Sequence, residues 1–164
     1  MVSRLVAVLT TLALVLSIGT ACARGAPRAT PSIPRVVPTP TAPPSTAIIN
    51  GHLFRLEVAD QPGEWELGLG KRTSLDQDSG MLFIFPTLSN KTFWMKDTLI
   101  PLDVIFMDSN LLIVDIRSME VQPGATDREL KRYTSSAPAQ FAMEINGGQA
   151  QALGLKRGMK VELR

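Results

Sequence analysis

Cysteine and histidine are almost absent from this chain of 164 residues, with Cys22 and His52 the sole representatives of each. One thiol closes no disulfide within the chain and builds neither a thiolate zinc site nor an iron-sulfur centre, and one imidazole makes no multi-histidine metal cage. No metal or other cofactor is therefore expected. Serine nucleophiles lack a base as well, because His52 adjoins Gly51 where the folded region begins and is expected to face solvent. Neither a Gly-x-Ser-x-Gly elbow nor a phosphate-cradling glycine loop occurs. Excess charge of either sign is also missing: 17 basic against 15 acidic residues leave a net charge of +2. That balance supplies no strong cationic field, so nucleic acid is not an expected partner.

What is present is unevenly distributed. Met1 to Asn50 holds four arginines and no acid, which leaves 13 basic against 15 acidic residues in the remainder. All nine aromatic side chains lie after Asn50, so only that part can build a substantial core. Three zones follow: a signal-like segment over 1–23, a proline-rich linker over 24–47 and a globular domain over 48–164.

The first zone carries Arg4, an apolar stretch from Leu5 to Ile18 and the small residues Gly19-Thr20-Ala21-Cys22-Ala23, which is secretory signal-peptide architecture. As a membrane-spanning helix it is marginal, since about 20 predominantly apolar residues are needed and the count is met only with Thr, Ser and Gly included. An uncleaved anchor is the weaker alternative. Ile18-Gly19-Thr20-Ala21-Cys22 resembles a bacterial lipobox in which Cys22 becomes the lipidated first residue, although Gly19 stands where a branched apolar residue is usual. Ala21-Cys22-Ala23 is also a small-x-small site for ordinary signal peptidase, which would release a soluble protein. Both routes place the domain outside the cytoplasm, on the outer face of a bacterial membrane or in the periplasm. Lipidation is favoured, because a lone cysteine in an exported chain is otherwise an unpaired thiol. In the second zone, seven of the twelve prolines fall among Thr, Ala and Ser. They block helix and ladder alike and make the segment an extended spacer rather than a recognition motif.

Beyond His52 the pattern is mostly strand. Leu53–Val58 alternates with period two, Gly80–Pro86 is a short apolar run suited to burial on both faces, and Lys91–Lys96, Leu102–Met107 and Leu111–Met119 read as an antiparallel meander. Ala139–Ile145 sets Phe141, Met143 and Ile145 against Gln140, Ala142 and Glu144, and Lys160–Leu163 closes the chain as a strand. Two short helices are predicted, Pro62–Leu69 with Asp60 as N-cap and Gly148–Leu153 stopped by Gly154. The fold class is mainly β, a compact antiparallel β-barrel or β-sandwich of six or seven strands with two short helices.

Candidate chemistry is sparse. Asp76-Gln77-Asp78-Ser79-Gly80 is a fragment of a calcium loop without its third and distal ligands, and an acidic turn accounts for it equally well. Six methionines beyond the initiator are scattered singly, which suits core filling rather than a copper site. The densest segment is Thr92 to Asp103. On a strand, Phe93 and Met95 face one way and Thr92, Trp94 and Lys96 the other, so an indole lies beside a hydroxyl and an ammonium. That set suits a flat polar ligand, with Asp97 and Asp103 adding carboxylates at the same rim. A tryptophan packed in a core beside a solvated Lys96-Asp97 turn is the alternative.

Gly68-Leu69-Gly70-Lys71-Arg72, Gly80 to Pro86, Phe93 to Asp103, Ala137-Pro138-Ala139 and Leu153 to Gly158 together resemble the domain of unknown function 192 family, an uncharacterised conserved region, over about residues 50–164. The resemblance implies a compact β-rich barrel or sandwich, often exported, with no assigned activity. Gly70 stands where the family commonly has methionine, and Asp97 where it commonly has asparagine. The expected function is that of an extracytoplasmic, membrane-tethered binding or accessory module. Arg72, Trp94, Lys96, Asp97 and Asp103 would take a small polar ligand such as a sugar or cell-wall fragment. Two rivals stand beside it, a carboxylate enzyme using Asp97 and Asp103 as an acid-base pair and a structural protein-interaction domain. If Cys22 carries the lipid, Cys22→Ser in the full chain expressed in a bacterium moves the protein from the membrane pellet to the soluble fraction. A pellet unchanged by the substitution would assign anchoring to the apolar segment itself.

Overall fold

The computed structural model describes residues 43–164. The signal segment, Cys22 and all but the last residues of the linker lie outside them. Nine strands and two short helices follow in chain order: β1 (Thr46–Ile49), β2 (His52–Ala59), α1 (Pro62–Leu67), β3 (Ser79–Ser89), β4 (Thr92–Phe93), β5 (Leu102–Met107), β6 (Ile113–Met119), β7 (Tyr133–Thr134), β8 (Ala139–Asn146), α2 (Gln149–Ala152) and β9 (Val161–Leu163). Among the described residues the chain enters the sheet at Thr46.

Seven strands form one curled sheet in the order β6-β5-β8-β3-β2-β1-β9, and β4 pairs with β7 in a second, two-stranded sheet. The mainly β fold with two short helices is what the sequence leads one to expect. The wholly antiparallel arrangement is not, because β2 and β3 run parallel, joined by α1 and a loop. Of the expected meander only β5 and β6 pair, since β4 pairs with β7. β8 inserts between β3 and β5 and is antiparallel to both. The sheet curls far enough for its edges to touch at one end. Leu112 bridges to Lys160, and the Val161 N–H donates to the Leu111 carbonyl at 2.9 Å. That contact shields part of two edges that would otherwise invite other chains.

Two cores occupy the two faces of this sheet. The concave face buries Ile49, Phe54, Leu82, Ile105, Met107, Ile113, Met143, Ile145 and Val161, drawn from all seven strands. The other face buries Phe83, Val104, Phe106, Met119 and Ala142 beneath a cover that includes Leu69, Phe93, Met95 and Tyr133. Consequently β5 is buried at every position, and β8 at Ala142 through Ile145. Five methionines (Met81, Met95, Met107, Met119 and Met143) fill these cores, a use that suits their flexible stems.

Local departures have local causes. Gln61, not Asp60, is the N-cap of α1, since the Asp60 and Gln61 N–H groups both donate to the Glu64 carboxylate, at 2.9 and 3.1 Å. The strand expected over Lys91–Lys96 is laddered only at Thr92 and Phe93. Pro86, which has no N–H to give, falls where the β3·β8 register slips between Ile84 and Ser89. At Gly80 a Cβ would stand 2.6 Å from the Glu144 carbonyl oxygen, closer than atoms tolerate, so only glycine lets β3 lie this near β8. Gly80→Ala is expected to lower the denaturant midpoint by the equivalent of about 1–3 kcal/mol, the usual cost of overpacking. An unchanged midpoint would show that the strands part freely there.

Candidate functional site

The covered face of the sheet holds one group that does not belong in a hydrocarbon core. Period-two alternation on β8 sends Met143 and Ile145 to the concave core, which turns Ala142 and Glu144 toward the other face. On a one-sided sheet that face is wet, and the sequence pattern predicts exposure. Here α1 and its following loop cover it, and Glu144 is only 5 % exposed. Loss of hydration pushes its carboxyl pKa up to about 8, opposed by the backbone N–H of Leu69. Its Oε2 has no hydrogen-bond partner. Gly68 permits this approach: with φ of +47°, its missing Cβ would stand 3.4 Å from the Phe83 ring and 3.6 Å from Oε2.

Glu144 lines a cavity of about 100 Å3 walled by Trp65, Phe83, Phe85, Phe93 and Trp94, with Glu66, Lys96, Thr92 and Thr98 also in its lining. The rings brace one another. Phe93 meets Phe83 edge-on at 5.0 Å and Phe106 at 5.5 Å, and Trp65 leans on Phe85 at 5.3 Å. The Trp65 indole N–H donates to the Ala59 carbonyl at 3.0 Å. A second depression of about 330 Å3 shares Glu66, Leu67, Trp94 and Lys96 with the first and adds Gly70, Lys71 and Asp97. A third, of about 400 Å3, continues from Lys96 to Thr98 toward the Val121–Ala125 loop.

Of the five ligand-site residues expected from the sequence, Trp94, Lys96 and Asp97 come together here. Trp94 is half-buried, and Phe93 and Met95 are buried while Thr92 and Lys96 are exposed, so the alternation survives beyond the short ladder. Arg132 stacks its guanidinium 4.0 Å from the centroid of the Trp94 ring, with the Lys96 ammonium at 5.3 Å. Lys96 pairs with Asp127 at 2.6 Å. Asp127, with smaller contributions from Asp97 and Glu66, raises the Lys96 pKa. Asp97 adopts the left-handed backbone, φ +51°, and its carbonyl accepts the Lys71 N–H at 2.7 Å.

Arg72 and Asp103 lie elsewhere. Arg72 is held by Glu57 of β2 through two bonds of 2.5 and 2.7 Å, which lower the Glu57 pKa, and it lines none of the three depressions. Asp103 is fully buried and accepts the Ala150 N–H of α2 at 2.8 Å. The alternation of β5 turns it to the concave side with Ile105 and Met107, so it does not share a rim with exposed Asp97. The carboxylate pair of the enzyme reading is therefore not assembled. Carbonyls of the calcium-like loop are spent within the protein, Asp76 accepting from Ser79 and Asn146, and Asp78 from Arg55. Among the described residues no three of His, Cys, Asp and Glu gather to hold a metal ion, and no helix is long and apolar enough to cross a membrane.

The buried acid makes stability depend on pH. An unfolded glutamate titrates near 4.5 and this one near 8, so the folded state holds an extra proton between those values. Glu144 thus lowers stability progressively as pH rises through that window, by about 1.4 kcal/mol per unit separating the two values. Denaturant midpoints measured from pH 5 to pH 9 should fall for the natural chain, and Glu144→Gln should remove most of that fall. Parallel curves for both chains would mean that the carboxyl is solvated.

The family model for DUF192, described as an uncharacterised conserved region, matches residues 45–163. No curated protein matches the chain. Among solved structures, a protein of unknown function from Novosphingobium aromaticivorans is similar at 35 % identity with a TM-score of 0.62, the match covering 71 % of this chain and 83 % of that one. A protein from Sinorhizobium meliloti described as a putative transcription regulator is similar at 30 % identity with a TM-score of 0.63, over 72 % and 90 % of the two chains. The match spans the strands, the glycine at which β3 meets β8 and the cavity around Glu144, and the chain belongs to the DUF192 family.

Proposed function

We propose that this chain is a binding module, exported and tethered to the outer face of a bacterial membrane through lipidated Cys22, whose ligand is a small polar molecule seated between α1 and the Trp94–Thr98 segment. One observation carries the reading: a buried carboxyl with an unpartnered oxygen facing an aromatic-walled cavity. An unmet polar group in a core costs about 1–3 kcal/mol, and it is retained where a ligand supplies the missing partner. Aromatic walls with a few converging polar groups are the usual make-up of small-molecule sites. The size limits what enters, since drug-sized ligands fill about 300–1,000 Å3 and this cavity holds about 100 Å3. A head group occupies the cavity and the remainder of a sugar or cell-wall fragment lies along the adjoining depression, against Trp94.

A carboxyl titrating near 8 is also what a general acid requires, and Glu66 lines the same cavity. The enzyme reading thus moves from Asp97 and Asp103 to Glu144 and Glu66. Thermal-shift screening of the chain against sugars and peptidoglycan fragments separates the two, because a module returns its ligand unchanged and an enzyme converts it. A hit at a hundredfold excess over Kd adds about 2.7 kcal/mol of stability, and Trp94→Ala should weaken it at least tenfold while leaving the circular dichroism spectrum intact. A blank screen together with a Trp94→Ala variant that merely unfolds would leave Trp94 as scaffold and remove the module reading.

A further inference from the structure

The ligand's chemical class follows from the charges around the cavity, and this inference rests on the binding reading above. Glu144 is enclosed by rings, and the charged side chains that share its cavity are Glu66 from α1 and Lys96 from the segment after β4; β3 and β4 contribute Phe83, Phe85, Thr92 and Phe93. Lys96 does not serve Glu144. Its ammonium is bonded to Asp127 at 2.6 Å and also feels Asp97 and Glu66. Glu66, Asp97 and Asp127 at the mouth are balanced by Lys71, Lys96 and the Arg132 guanidinium stacked on Trp94, whereas Glu144, which has an unpartnered oxygen, forms no ion pair. Aromatic faces add to this, because a ring's electron-rich face attracts cations, most strongly where water is excluded. The volume admits a head group and a short stem rather than a ring.

We infer that the cavity receives a primary ammonium group on a slender apolar stem, the ammonium pairing with Glu144 Oε2 and its methylenes lying against Trp65, Phe85 and Trp94. The ammonium keeps its three protons, and Glu144 gives its own proton to the buffer as the pair forms. A neutral ligand that accepts a hydrogen bond would instead need Glu144 protonated. The two cases differ in the sign of their pH dependence. Ammonium binding tightens as pH rises, about tenfold per unit below pH 8, until the amine itself deprotonates near 10.4. Acceptor binding weakens over the same range.

The test is calorimetric titration of the full chain with n-butylamine hydrochloride and with 1-butanol, between pH 6 and pH 9. Expected are butylammonium binding at least tenfold tighter than butanol, and release of close to one proton at pH 6.5, read from buffers of different ionisation enthalpy. Cadaverine and Nα-acetyl-lysine amide then separate a free diamine from a lysine side chain as sources of the group. Glucosamine, whose amine sits on the ring with no stem, should bind no better than butanol, and tight glucosamine binding would overturn the slender stem. Glu144→Gln should abolish the pH dependence, and the proton count holds as a readout should that variant fold poorly. Butanol binding equally well, or affinity falling as pH rises, overturns the ammonium assignment while leaving the binding module in place. Absence of binding by these probes together with a blank sugar and peptidoglycan screen overturns both.

Discussion

Burial of both faces of the same sheet is the constraint on which the rest of this domain depends. Strands β3, β5 and β8 have a core on either side, so Gly80–Phe83, all of β5 and Ala142–Ile145 must suit an interior. Most do, as Leu102 to Met107 shows with Asp103 the one polar member. Asp103 meets the constraint in part: one oxygen accepts the Ala150 N–H and so fastens α2 to the sheet, while its Oδ1 has no partner. Glu144 likewise keeps an oxygen without a partner, and burial pushes its carboxyl pKa up to about 8 against the lowering effect of the Leu69 N–H. Of the three buried acids, Asp103 fastens α2 and Asp115 accepts the Ile116 and Ser136 N–H groups, whereas Glu144 is the one that lines the aromatic cavity.

The cover over Glu144 is held chiefly by main-chain contacts. The Lys71 N–H reaches the Asp97 carbonyl across two loops, and both residues take positive φ, a conformation that costs L-residues roughly 1–2 kcal/mol. Asn and Asp tolerate it best, because their short side chains bond locally. That preference accounts for an aspartate at 97, where the resemblance gives asparagine, without any appeal to ligand contact. Gly70 belongs to the same junction, since a Cβ there would stand 2.8 Å from the Leu67 carbonyl. The cleft between α1 and the Trp94 segment is thereby largely preformed, which spares a ligand the entropy of ordering its own site.

How far the sequence revealed this architecture depended on whether a signal was local. β5 was read at its true bounds from an apolar run, and β2 from clean alternation. β1 and β7 escaped notice because four and two residues carry no periodicity. The parallel pairing of β2 with β3 was invisible for a different reason, since register between strands twenty residues apart is decided by packing rather than by either strand's own pattern. At the site, Trp94, Lys96 and Asp97 were legible because they are adjacent in the chain. Asp103 is close to Trp94 in the chain and Arg72 is not, and each has another partner in the structure, α2 and Glu57 respectively. Glu144 looked like the wet half of an amphipathic strand. The signal that might have exposed it is Ala142 on the same face, too small and apolar for a solvated strand, followed by Gly147-Gly148 where the chain turns tightly.

Trp94 ties the two halves of the site together, and its intermediate burial is what makes it useful there. A wholly buried indole would have been scaffold, and a fully exposed one would hold no fixed orientation. Here the neighbouring Phe93 and Met95 are sunk in the core and fix the backbone, while Arg132 stacks on the ring, its own N–H groups bonded to the Leu130 and Asp127 carbonyls. The ring is therefore positioned by the protein before any ligand arrives, and it lines both the closed cavity and the open depression. Polarity in this cleft is layered, with one unmet carboxyl at the floor, aromatic walls above it and a rim of paired charges. A ligand suited to that layering is charged at its buried tip, apolar in its stem and polar where it emerges. The layering accounts for the retention of an acid in the core better than packing does, because a leucine in place of Glu144 would satisfy the core and leave the cavity with nothing to bind.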